Sequence, residues 1–513
     1  MDPNDRLDAA IQLRPGDSVA VSLRRLSPGE TIRVAGRELN VRDAVNPGHK
    51  VALVRLAAGE AIRKYGQVIG FASEDIPAGA HVHVHNCSVK AFDRDPAVAM
   101  ERPLPPPQAA PRSFRGFVRA DGRVGTRNYV VLLSTVNCSA SATKRLAARA
   151  DRELLNSFPG VDGILPITHK GGCGLQYGGP DHEQLDRTLA GFARHPNVAG
   201  CLVIGLGCEV AQARHLIESQ GKAFCRDGAR PAVFIIQEEG GISKTVESGL
   251  RELREILPRA GSAKRQEVSA EHLVLGLQCG GSDAYSGMTA NPALGVACDL
   301  LVAQGGTAVL AETPEIYGAE HLLTRRAASP EVAAALLERI RWWEWYAGLF
   351  GVELDNNPSP GNREGGLTTI YEKSLGAVAK GGSTALTAVY RYAEQVTAKG
   401  LVFMDTPGYD PVSLTGVVAG GASICAFTTG RGSVYGCKPA PCIKISSNTE
   451  LFDRQRDDMD LDAGGILRGV PVEEVGRRIF ERILLVASGE KTTSEVQGVG
   501  EEEFAPWSIG PTL

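Results

Sequence analysis

From about residue 114 onward the chain alternates short, wholly apolar runs with longer stretches of helical periodicity, and no other feature narrows the possible folds as far. Strands are expected at Tyr129–Ser134, Val161–Ile167, Cys201–Ile204, Ala232–Ile236, Leu273–Leu277 and Thr307–Ala311. Helical patterns at Ser141–Leu154, His182–Ala193, Ser243–Ile256 and Asn291–Gln304 separate them. A strand that is apolar at every position must be covered on both faces, and helices between successive strands supply both the cover and the crossover. Parallel sheets are therefore expected. A second α/β unit is expected from about Gly400, with strands at Leu401–Met404 and Ser423–Phe427 and a helix at Val472–Ala487. Between the two units, a helix over Glu331–Phe350 carries Trp342, Trp343 and Trp345.

The first hundred residues have a different texture. Short runs at Ser18–Leu23, Thr31–Val34 and Lys50–Leu56 are punctuated by Pro-Gly and Ala-Gly turns, the pattern of a small, mostly β domain. The proline-rich stretch Arg102–Pro111 favours extended backbone and reads as a linker. The expected organisation is a β domain over 11–92, a linker over 93–113, an α/β domain over 114–395 and a second α/β domain over 396–513, both α/β units being of Rossmann-like kind. No internal repeat is evident.

Charge and cysteine usage exclude several roles. Lys plus Arg is 55 against 59 for Asp plus Glu, a net charge of −4, which suits neither a nucleic-acid backbone nor an anionic membrane as partner. The start is acidic and without a secretory pattern, and no window is long and apolar enough to span a membrane, so a cytoplasmic location is expected. Eleven cysteines, an odd number, argue for reduced thiols rather than a disulfide scaffold.

Polar residues follow the expected strands with regularity. Asn137-Cys138, Thr168-His169-Lys170-Gly171-Gly172-Cys173, Gly207-Cys208-Glu209 and Gln278-Cys279-Gly280-Gly281-Ser282-Asp283 each close an apolar run. Ligands of open parallel sheets bind beyond the carboxyl ends of the strands, so Cys138, Cys173, Cys208 and Cys279 are candidate ligands of one shared metal. Cys201, Cys225, Cys298 and Cys425 read instead as small core residues. With no C-x2-C pair, such a centre must be assembled from distant loops. In His81-Val82-His83-Val84-His85-Asn86, strand alternation puts the three imidazoles on one face. Glycine-rich turns at Asn357–Asn362, Glu364–Thr369 and Phe427–Ser433 offer backbone N–H groups, and Arg431 a forked donor, to an anion. No nucleotide-binding fingerprint is present.

Taken together, these stretches resemble the altronate and galactarate dehydratases, a family of sugar-acid hydro-lyases that also includes a sulfolactate sulfo-lyase. The residues that carry the likeness are Gly48-His49-Lys50, Lys64-Tyr65-Gly66, His83-Val84-His85-Asn86, Asp121–Asn128, Gly205–Glu209, Cys279–Asp283, Thr289–Pro292, Asn357–Asn362 and Thr428–Gly432. The resemblance implies a SAF-type β domain fused to a two-part α/β region, and a ferrous-iron requirement; the expected cofactor is Fe2+, with Mn2+ or an iron–sulfur cluster left open as alternatives. Dehydration of such an acid needs a base for the proton beside the carboxylate and an acid for the departing hydroxyl. The expected assignments are His169, Lys170, His83 and His85 for proton transfer, Arg431, Asn362, Thr429, Ser282 and Asp283 for the substrate, and the four thiols for the metal. The expected partners are a sugar acid and a second copy of the chain. A sulfo-lyase, and a non-catalytic sugar-acid or iron–sulfur sensor, are the alternative functions.

Overall fold

The structure is a computed structural model and describes residues 9–90, 98–101, 103, 110–224 and 230–510. Most of the expected linker, and Cys225, lie outside the described residues. Among the described residues, no helix is long and apolar enough to cross a membrane.

The first domain is built of β-strands. A four-stranded antiparallel sheet runs in the order Ala10–Ile11, Val19–Ser22, Lys50–Ala52, His81–Val82. Two hairpins flank it, Thr31–Val34 with Arg37–Asn40, and Ala61–Lys64 with Gln67–Ala72. These hairpins form a repeat that the sequence itself carries at a spacing of 30 residues, since Leu26, Gly29, Glu30, Ile32, Arg33 and Gly36 recur as Leu56, Gly59, Glu60, Ile62, Arg63 and Gly66, which corrects the expectation of no internal repeat. Each hairpin follows a leucine joined by an isolated antiparallel bridge to a residue beyond the hairpin, Leu26 to Val45 and Leu56 to Ile76. Each turns through a residue and a glycine at positive φ, Ala35-Gly36 and Tyr65-Gly66. The fourth strand residue is buried in both copies, Val34 at 2% and Lys64 at 1% exposed, while Arg33 and Arg63 stay exposed.

The second domain is a four-stranded parallel sheet in the order Gly163–Ile167, Tyr129–Ser134, Val198–Gly205, Ala232–Ile235. Helices Asn137–Glu153 and Ile242–Gly261 pack together against it. The third part is one seven-stranded parallel sheet in the order Leu386–Tyr390, Gly400–Met404, Thr307–Leu310, Val274–Cys279, Ile424–Thr429, Cys442–Ser446, Leu461–Asp462. The expected boundary at 395/396 therefore falls inside this sheet. Strand Val274–Cys279 follows the second domain in sequence, but it pairs with Thr307–Leu310 and Ile424–Thr429. Parallel pairing through crossovers makes sheet membership a non-local property.

The three parts share their cores. One apolar cluster runs from Ile62 and Ile69 of the first domain to Leu275 and Phe403 of the large sheet and Leu294 of the helix Ala290–Ala303. A second joins Val131 and Leu189 of the second domain to Val417 and Phe427. Helix Pro180–Ala193 meets helix Asp410–Ala419 so closely that a Cβ on Gly191 would stand 2.4 Å from the Ala419 carbonyl oxygen. Gly191→Ala should cost about 1–3 kcal/mol by overpacking this joint, read as a lower unfolding midpoint in urea. An unchanged midpoint would mean the two helices are free to part.

Candidate active site

Strand Lys50–Ala52 pairs antiparallel with His81–Val82, which brings His49 beside the histidine run. The ring centroids of His49 lie 5.2 Å from His81 and 4.6 Å from His83, and those of His81 and His83 are 5.4 Å apart. His49 Nε2 donates to the Glu364 carbonyl at 3.1 Å, because a carbonyl can only accept. Its Nδ1 therefore carries a lone pair, and it sits 3.0 Å from His81 Nε2. The Nδ1 of His83 is buried with no hydrogen-bond partner among the described residues. Burial, followed by neighbouring imidazoles and Lys50, pushes His81 down to about 4 and His83 to about 3, so both rings are neutral at pH 7. One nitrogen of each of His49, His81 and His83 falls within 4.8 Å of the others.

The expected single imidazole face is thus corrected. Only His81–Val82 is strand; the chain then turns, with His83 N–H on Asn86 Oδ1 and Asn86 Nδ2 on the His81 carbonyl. The turn brings His83 toward His49 and leaves His85 exposed, its ring 5.4 Å from that of His81. His49 is the site residue that the sequence reading passes over. Its only signal was the Gly48-His49-Lys50 stretch.

Behind the imidazoles a buried ionic clamp fastens the first domain to helix Ile370–Val378. Lys50 Nζ donates to Glu372 Oε2 at 2.8 Å and to the Gly366 carbonyl at 2.6 Å, and Lys64 Nζ to Glu372 Oε1 at 2.8 Å. Thr368 adds its N–H and hydroxyl to Glu372 Oε2 at 2.9 and 2.7 Å. Burial pushes the Glu372 carboxyl up, but Lys50 and Lys64 outweigh it and hold it well below the usual carboxylate range.

The next residue of that helix, Lys373, points a different way, as neighbours on a helix must. It reaches Glu315 at 2.7 Å in a second buried chamber with Cys279, Glu312 and Lys380. Lys380 Nζ lies 2.8 Å from Cys279 Sγ and 3.6 Å from Glu312 Oε2. Glu312 holds a left-handed φ of 68°, and burial together with Glu315 pushes its carboxyl well above the usual range. Two ammonium groups already answer two carboxyl groups here, so this chamber has little need of a cation.

The loops expected to hold substrate gather beside His49. Asp283 accepts from Ser286 N–H and from Ser286 and Ser447 hydroxyls, all at 2.8 Å, and from Asn448 at 3.1 Å. Asn362 closes a capping box and donates to the Ser282 carbonyl at 2.8 Å, while Thr429 accepts from Gly432 N–H. The Ser282 hydroxyl has no partner among the described residues. Arg431 is exposed and pairs with Glu364 at 3.0 Å, the residue whose carbonyl holds His49. Asp283, Asn362 and Thr429 thus shape the loops, and Arg431 and Ser282 keep free donors.

The expected proton-transfer pair of the second domain sits elsewhere. His169 and Lys170 line a 690 Å³ cavity closed by Phe504–Ser508 of the C-terminal tail. Both ring nitrogens of His169 are held by backbone, Nε2 at 3.0 Å from the Ser134 carbonyl and Nδ1 accepting from Gly171 N–H at 3.2 Å, and burial pushes it down to about 4. It braces its loop and has no nitrogen left for substrate. The four thiols are not gathered either: Cys279 is enclosed in the large sheet's chamber, whereas Cys138, Cys173 and Cys208 are exposed on the second domain. A further group in the second domain, His182, Asp186 and His215, lies within 4.8 Å. There His182 Nδ1 accepts Gly178 N–H, so its Nε2 carries hydrogen rather than a lone pair for metal.

Fold and site together define an α/β protein whose small β domain completes an imidazole-rich pocket on the edge of a large parallel sheet. Comparison with known proteins names the group. Residues 8–90 match the altronate/galactarate dehydratase SAF domain, 116–261 the D-galactarate dehydratase/altronate hydrolase second domain, and 270–512 the D-galactarate/altronate dehydratase C-terminal domain. Altronate dehydratase of Bacillus subtilis (strain 168) is 35% identical over 98% of this chain and 99% of its own. Galactarate dehydratase (L-threo-forming) of Escherichia coli (strain K12) is 37% identical over 92% of each chain. The β subunit of (2R)-sulfolactate sulfo-lyase of Chromohalobacter salexigens is 32% identical over 77% of this chain and 96% of its own. The chain belongs to the galactarate/altronate dehydratase family.

Proposed function

We propose that the protein is a hydro-lyase that dehydrates a sugar acid of the galactarate or altronate type to a 2-keto-3-deoxy acid, at the joint between the SAF domain and the large sheet. The observation that carries this reading is the trio His49, His81 and His83: two neutral imidazole nitrogens 3.0 Å apart and a third that is buried and unpartnered. Neutral imidazoles, one fixed by a carbonyl on its far nitrogen, are a fitting donor set for a divalent metal, Fe2+ foremost and Mn2+ next. When bound there, such an ion supplies Lewis-acid stabilisation of charge on the substrate's carboxylate and hydroxyl oxygens.

The chain's own residues supply the rest. Arg431, exposed on its loop and 3.0 Å from a still more exposed Glu364, can exchange that partner for a substrate carboxylate. His85, exposed beside His81, is the imidazole free to take the proton next to the carboxylate. Lys50 and Lys64, both locked on Glu372, hold the SAF domain in register and leave a positive charge behind the site that favours an anion. Proton transfer by His169 is not part of this reading.

The test is an anaerobic screen of the protein with Fe2+ against galactarate, altronate and sulfolactate, following 2-keto acid and sulfite separately. Keto product without sulfite from one of the sugar acids is expected. Sulfite release would make the protein a sulfo-lyase, and ligand binding without turnover a sensor.

A further inference from the structure

Cysteine is among the residues most often buried, and seven of the ten described cysteines obey. The three that do not, Cys138, Cys173 and Cys208, sit on three loops at one edge of the second-domain sheet, far in sequence from the SAF imidazoles. Cys138 follows the central strand Tyr129–Ser134, and Cys173 and Cys208 follow its two neighbours, Gly163–Ile167 and Val198–Gly205.

The loops are stitched together pairwise. Asn137 N–H donates to the Gly171 carbonyl at 3.0 Å, and Ala211 N–H to the Gly172 carbonyl at 3.0 Å. Glu209, 3% exposed, closes the third side: its Oε1 accepts from the Thr135 hydroxyl at 2.9 Å and from Leu206 N–H, and its Oε2 from Gly207 N–H. Gly172, at φ +94°, lies so close that a Cβ would stand 2.2 Å from the Thr135 carbonyl oxygen. Each stitch is within three residues of one of the cysteines. Buried hydrogen bonds and a glycine thus hold together the three loops that carry the exposed thiols, and these loops form the platform. Gln237 Nε2 donates toward Cys208 Sγ at 3.5 Å, the kind of contact that supports a charged sulfur ligand.

We propose that Cys138, Cys173 and Cys208 together hold an iron–sulfur cluster on this platform, separate from the imidazole site. As they lie, the three sulfurs stand too far apart to share one tetrahedral ion. Ligands of one tetrahedral metal at a metal–sulfur distance of ~2.3 Å stand about 3.8 Å apart, whereas these three do not form a group within 4.8 Å. Cluster ligands bind different irons and are correspondingly farther apart. Soft thiolates favour iron–sulfur chemistry, and three of them leave one iron without a protein sulfur. Helix Asn137–Glu153 brings the N–H groups of its first turn to the platform with no acidic residue among them, which favours an anionic cluster.

The test uses the full chain purified anaerobically and reconstituted with Fe2+ and sulfide. Iron, acid-labile sulfide and a visible charge-transfer band that bleaches with dithionite are measured. The expected result is about four irons and four sulfides per chain in addition to any iron at the imidazoles. Cys138→Ser, Cys173→Ser and Cys208→Ser should each lose the band, while Cys298→Ala and His83→Ala keep it. Because the three thiols are exposed, the serine variants should unfold at the same urea concentration as the unreconstituted parent, which separates lost ligation from lost folding. Iron without sulfide, no band after reconstitution, or a band that survives any single serine substitution would overturn the cluster. None of these outcomes bears on whether the imidazole site dehydrates sugar acids.

Discussion

Glu372→Gln should be the most destabilising single substitution at the joint between the SAF domain and the large sheet, costing about 3–5 kcal/mol at pH 7. The glutamate, Lys50 and Lys64 have side chains no more than 1% exposed, so the neutral amide leaves two ammonium groups buried without a counter-charge. The native pair is not in itself a large source of stability, since desolvation opposes it; the loss comes from stranding its partners. The pH dependence has a definite sign. Because the folded-state carboxyl is held below its unfolded value, its contribution is complete above about pH 4.3, the ordinary glutamate value, and is lost as pH falls toward the folded value. Glu495, which burial raises but Arg127 pulls lower, titrates with the same sign. Urea unfolding from pH 7 to pH 3 should therefore show the parent losing stability in acid while the Gln variant, weaker at pH 7, declines less steeply. Equal stability of the two at pH 7 would mean that the clamp is wet and the domains are held by their apolar cores alone.

How far the sequence reveals this molecule depends on whether a feature is local. Helix Val472–Ala487 and strand Tyr129–Ser134 lie where periodicity puts them, because burial of one stripe or of both faces is written into consecutive residues. The boundary at 395/396 failed because strand Val274–Cys279 and strand Ile424–Thr429, adjacent in the sheet, are separated by most of the domain. The repeat in the SAF domain is written in residues as well as in turn geometry, Leu26, Gly29, Glu30, Ile32, Arg33 and Gly36 recurring as Leu56, Gly59, Glu60, Ile62, Arg63 and Gly66; the exchange of Val34 for the buried Lys64 masks it to a reading by hydropathy.

The site was legible in part for the same reason. Ser282 and Asp283 follow strand Val274–Cys279 and Arg431 follows strand Ile424–Thr429, and the carboxyl edge of the parallel sheet sets these two loops side by side, with Gly430 and Arg431 N–H both on the Gly281 carbonyl; His83 came instead from the histidine run of the antiparallel β domain. His49 was not nominated, because its importance comes from pairing of Lys50 with Val82 across the sheet rather than from its own surroundings in sequence. His169 misled in the opposite way. A histidine in a glycine-rich loop past a strand looks reactive until both its nitrogens are found on backbone.

Replacing His83 with alanine should lower kcat/KM by at least about 100-fold, a loss of the size that perturbing the surroundings of metal ligands already produces. The ring offers a buried, unpartnered nitrogen to a site where His49 and His81 already present theirs. Its removal should also cut the Fe2+ retained through gel filtration, while the unfolding midpoint stays near the parent's, since the side chain makes no hydrogen bond that folding depends on. His85→Ala separates proton transfer from metal holding: kcat should fall with Fe2+ content unchanged. The two variants thus differ in a measurable way, one failing to hold the ion and the other holding it without turning over. A His83→Ala protein that kept both its iron and near-normal turnover would remove the imidazole trio from the chemistry. The SAF domain would then serve the large sheet only as a lid clamped by Glu372.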